Sequence, residues 1–118
     1  MTVPLSEEAY VDFRETCIEN WYIELQDESA TPLIRLNVTD PRVERTSVSG
    51  ENPVTLRITV TGADMPSLPA TIAKAALYRV ASGGTAVAPA GAIAGALLVL
   101  ATDQVAVTAI IYQPEVVA

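Results

Sequence analysis

The chain has 118 residues, enough for one domain with a real core and too few for two, and half of them are apolar while only 5% are aromatic, so the core must be built from Val, Ile, Leu and Ala. Seven basic against fourteen acidic residues give a net charge of −7, a sign that repels the phosphate backbone and argues against nucleic acid as a partner. Histidine is absent, which removes the commonest general base and neutral metal ligand, and the single Cys17 excludes an intrachain disulfide.

The N-terminus turns acidic without a basic leader or apolar stretch, so no export signal is expected. Ser6 before Glu7 and Glu8 reads as a helix cap with acidic residues where the helix dipole favours them, and a helix is expected over roughly 6–20. Tyr10, Phe13, Cys17 and Trp21 follow at steps of three, four and four, an apolar stripe by which that helix docks, with Phe13 and Trp21 as anchors. Cys17 is accordingly read as structural.

Alternation sets in at Trp21, Ile23 and Leu25, a first strand with Tyr22 and Glu24 on its other face. After a polar turn over 26–32, Ile34, Leu36 and Val38 alternate with Arg35, Asn37 and Thr39, so the two strands are expected to pair as a hairpin. Residues 40–53 hold two prolines, a glycine and five charges, and read as an exposed loop and candidate contact arm. Arg42 and Arg45 within it are the candidates for meeting an acidic partner surface or a neighbouring copy's acidic helix.

Residues 54–61 give the clearest strand, with Val54, Leu56, Ile58 and Val60 on the buried side. Positions 71–80 fit either helix or strand, with strand favoured at the end. Ser82-Gly83-Gly84 makes a turn, residues 85–88 a short strand, and 92–101, apolar on both faces, a strand covered on both sides. That apolar run is too short to cross a bilayer. Thr102-Asp103-Gln104 turns the chain into a last strand ending at Tyr112.

The expected fold is therefore mainly β: a compact antiparallel β-sandwich or barrel-like domain with one short N-terminal helix. Residues 1–25 form the acidic helix and first strand, and 26–118 the β core. Eight of the acidic residues lie in the first 28 positions, whereas from residue 80 onward only Asp103 and Glu115 are charged. A near-neutral surface meets a partner at low desolvation cost, so the second half reads as contact surface as well as core. No spacing of carboxylates suits a calcium loop, and the glycines near 83–95 lack the lysine of a phosphate loop, so no cofactor, metal or catalytic residue is expected. Adhesion without chemistry is the function class that remains.

The order Leu68-Pro69-Ala70-Thr71, Ala76-Leu77-Tyr78, Ser82-Gly83-Gly84-Thr85, Ala94 to Ala101, Thr102-Asp103-Gln104 and Val105 to Tyr112 resembles the lambda-type head decoration proteins of tailed bacteriophages. The resemblance covers a little over a third of the chain. The N-terminal part departs from it, an acidic helix with two strands standing where the family carries a flexible arm. It implies a non-enzymatic capsid cement protein on the virion exterior, made in the host cytoplasm. The implied partners are the major capsid protein and further copies of itself, as homotrimer or homodimer, with no nucleic acid and no membrane. Arg42, Arg45, Trp21, Phe13 and Tyr112 are the candidate interaction residues. The strand rhythm also resembles immunoglobulin-like sandwiches, which would make the chain a module of a phage tail or baseplate, or a surface adhesion domain.

Overall fold

A computed structural model describes residues 6–48 and 53–112, the side chains of Phe13, Arg14, Cys17 and Pro89 excepted. Among the described residues the order is one helix, α1 (Glu7–Ile18), then strands β1 (Tyr22–Gln26), β2 (Pro32–Asn37), β3 (Val43–Arg45) and β4 (Val54–Thr61). A 3-10 turn (Gly62–Asp64) and strands β5 (Ala70–Tyr78), β6 (Ala88–Leu98) and β7 (Gln104–Ile111) complete it. The fold is mainly β, as the aliphatic composition requires.

Every pairing is antiparallel. One sheet has the order β2-β1-β5-β6 and the other β3-β4-β7. This is not the immunoglobulin arrangement, in which the first strand is an edge; here β1 lies between β2 and β5. The two sheets share one core, contributed from the first by Ile23, Leu25, Leu36, Ile72, Leu77 and Leu98 and from the second by Val54, Leu56, Ile58, Val60, Val107 and Ala109. Alternation explains the second set directly, since β4 buries every other residue and pairs Leu56 with Ala109 and Ile58 with Val107 on the same inner face.

The expected hairpin is β1–β2. Its turn is built by Asp27, whose Oδ1 accepts hydrogen bonds from the backbone N–H of Ser29 (2.9 Å) and Thr31 (2.8 Å), while Ala30 takes the left-handed conformation at φ 62°.

Five expectations are corrected. The helix ends at Ile18, which is the buried one among its described side chains; Trp21 lies beyond the helix and packs half-buried against the core. Residues 40–53 are not one loop, because β3 pairs Val43 with Ile58 and buries it; 49–52 lie outside the described residues. The ambiguous stretch 71–80 is strand as far as Tyr78, since β5 is held on both sides by β1 and β6, and Arg79 and Val80 lie beyond it. Residues 85–87 are not strand; β6 begins at Ala88. Finally, the apolar 92–101 region is not covered on both sides, because β6 is a sheet edge and leaves Leu97, Val99 and Leu100 exposed.

Candidate interaction surface

Two sheet edges lie next to each other. β6 is the outer strand of its sheet and β7 the outer strand of the other, and they approach without forming a ladder. An open groove of about 580 Å³ lies there. Its walls come from Gly91, Ile93 and Ala94 of β6 and from Ala109, Ile111 and Tyr112 at the end of β7. Ile110, 67% exposed, and Tyr112, 65%, line it, and Leu97, 59% exposed, lies further along β6. Exposed single apolar residues are ordinary, but Ile110 and Tyr112 adjoin an apolar groove.

Asp103 is itself engaged. Its carboxylate accepts hydrogen bonds from the backbone N–H of Leu100 (2.8 Å) and Val99 (2.9 Å), which hold its pKa below the usual carboxylate range. The 3-10 turn docks onto the same β6–β7 connection: the N–H of Gly62 donates to the carbonyl of Asp103 and that of Ala63 to the carbonyl of Ala101. Only glycine fits at position 62, where an added Cβ would lie 2.0 Å from the carbonyl oxygen of Leu100.

A polar cluster sits on the far side of the first sheet. Glu24 and Gln26 are each only 3% exposed on the face opposite Ile23 and Leu25. Arg35, across from Glu24 on β2, gives Nε (2.8 Å) and Nη2 (2.7 Å) to its carboxylate and Nη1 to the carbonyls of Val80 and Gly83. Its guanidinium also lies 3.5 Å from the centre of the Tyr78 ring. Gln26 donates to Glu24, while its own Oε1 is buried without a donor among the described residues. The arginine is thus fully committed to tying the glycine turn at 83–84 down on β1, and this cluster reads as structure.

Of the residues singled out from sequence, Arg42 and Arg45 are turned inward on their own chain. Arg42 pairs with Asp40 (3.0 Å) and Asp64 (3.0 Å), and the guanidinium keeps Asp40 ionised to lower pH than usual. Arg45 forks onto Glu15 of α1, so the acidic helix it meets is its own. Trp21 belongs to the core margin; Phe13 is on α1 with its side chain outside the description, as is that of Cys17. Of these, Tyr112 lines the groove between β6 and β7. The residues that sequence reasoning missed, Leu97 and Ile110, could not be told from core residues by pattern, because only strand order decides which apolar strand becomes an edge.

Among the described residues no group of three or more potential metal ligands converges, and no helix is long and apolar enough to cross a membrane. No protein-family profile, curated protein or solved structure matches the chain.

Proposed function

We propose that this chain is a non-enzymatic virion structural protein, a decoration or cement protein that binds the outside of a phage head and stabilises the shell by bridging neighbouring capsid subunits. The observation that carries the reading is the open apolar groove between β6 and β7, with Ile110 and Tyr112 exposed at it, on a chain of net charge −7. A surface of this kind contributes affinity through desolvated apolar contact, and a protein that binds only the assembled shell stabilises it by mass action. The likeness of 68–112 to lambda-type decoration proteins gives the partner, a major capsid protein.

The test is co-sedimentation of the purified chain with shells assembled from a major capsid protein encoded in the same genome. Binding to expanded shells, a rise in their melting temperature, and loss of both in Leu97→Asp/Ile110→Asp are expected. Absence of binding to shells of either form sinks the assignment. Binding to isolated tails in its place would favour the tail or baseplate alternative.

A further inference from the structure

Leu97, near the end of β6, and Val99 and Leu100, in the turn that leads to β7, are each more than half exposed. The backbone that carries them is already paired. The N–H groups of Val99 and Leu100 donate to Asp103 Oδ2, and that of Asp103 donates to the carbonyl of Leu100. From the 3-10 turn, Gly62 and Ala63 donate to the carbonyls of Asp103 and Ala101. A turn that stays in water can leave such groups to the solvent; one that is covered cannot, because each unpaired group then costs free energy. The backbone of Gly62 also lies against that of Leu100 with no room for a Cβ between them, which braces the turn. Aliphatic side chains on a paired and braced turn lose little conformational freedom when a partner covers them.

We propose that the β6–β7 turn places Leu97, Val99 and Leu100 in an aliphatic depression on a protein partner, with a lysine or arginine at its rim facing Asp103.

Charge selects this occupant. Asp103 is the charged residue of 97–104, and its Oδ1 accepts no hydrogen bond among the described residues, so a vacant anionic acceptor stands beside the aliphatic group. A cation at the rim would satisfy it and would be drawn toward a chain of net charge −7. A bilayer suits the turn less well, since anionic headgroups repel that charge and no lysine or arginine lies from position 80 onward to meet them. A second copy's groove between β6 and β7 is aliphatic too, but no cation lines it and two such chains repel. The contact rests on the cement reading above and names what a capsid subunit must offer to this turn.

The test is co-sedimentation of the full-length chain with expanded shells, for wild type, Val99→Ser/Leu100→Ser and Asp103→Asn. Both substituted aliphatic side chains are exposed, so the double variant should keep its melting temperature while binding shells at least about 30-fold more weakly. Asp103→Asn can still accept the two N–H bonds through its amide oxygen, and should bind more weakly with a flatter dependence on salt. If the double variant fails to fold, Leu100→Ala replaces it, with an expected loss of at least about 5-fold. Unchanged affinity in the folded aliphatic variant, or unchanged salt dependence in Asp103→Asn, overturns the contact and leaves the cement assignment standing. A wild type that ignores shells but binds isolated tails through the same side chains would remove that assignment and keep the contact; binding to neither removes both. Flotation with vesicles of phosphatidylcholine and phosphatidylglycerol, or self-association, abolished by the double variant would overturn the contact in favour of a membrane or a second copy.

Discussion

Arg35 forks onto the carboxylate of Glu24 across the β1–β2 ladder, with an arginine side chain only 10% exposed. Removing the cation leaves an ionised group almost without water. Arg35→Ala should therefore cost about 3–5 kcal/mol, well above a surface pair, and also release the turn at 80–83. Arg35→Lys keeps the charge but loses the fork and the stacking on Tyr78, and should recover only part of that. Urea unfolding of the two variants measures both; equal stability to wild type would remove the network as a source of stability.

Two of the contacts that dock α1 differ in strength. Ile18 is buried, so Ile18→Ala should cost about 2–4 kcal/mol. The Arg45–Glu15 pair is partly exposed, and Arg45→Ala should cost under about 1 kcal/mol. A larger loss for Arg45→Ala than for Ile18→Ala, in thermal or urea melts, would show that the ion pair and not burial seats the helix.

Ala30 occupies a left-handed conformation in which its Cβ crowds the following carbonyl. Ala30→Gly removes that crowding and should raise stability by about 1 kcal/mol, less whatever the unfolded chain gains in freedom. An unchanged or lower melting temperature would contradict it.

Gly62 lies against the backbone of Leu100, where neither partner is a flexible side-chain end. Gly62→Ala should push the 3-10 turn off the β6–β7 connection, breaking the hydrogen bonds to Asp103 and Ala101, at a cost of about 2–3 kcal/mol. Chemical-shift changes centred on 99–103 should accompany the loss.

Asp103 gives the pH dependence a sign. Backbone N–H donors favour its ionised form in the folded state, so its folded pKa lies below its unfolded one. Its contribution is present above the unfolded value and fades as pH falls through the folded one. The amide shifts of Val99 and Leu100 should titrate together at a pH below the usual carboxylate range, and Asp103→Asn should abolish that titration. A midpoint above that range would reverse the argument.

Much of the fold follows from period alone. Alternation in 54–61 and in 21–25 places Val54, Leu56, Ile58, Val60, Ile23 and Leu25 in the core, because a strand can bury only every second residue against one neighbour. Composition likewise dictates small aliphatic strands. Strand order is another matter. The run 92–101 has the same apolar character whether it is central or peripheral, and only the pairing of β5 with both β1 and β6 leaves β6 outermost. Glu24 shows the converse, since alternation puts it outside, yet Arg35 and Tyr78 arrive from other strands and bury it. Arg42 and Arg45 look like free cations in a loop until Asp64 and Glu15, distant in sequence, fold back to meet them. Local periodicity determines which face of each strand is apolar; which face meets solvent depends on neighbours brought together from afar, and that is decided only by the tertiary structure.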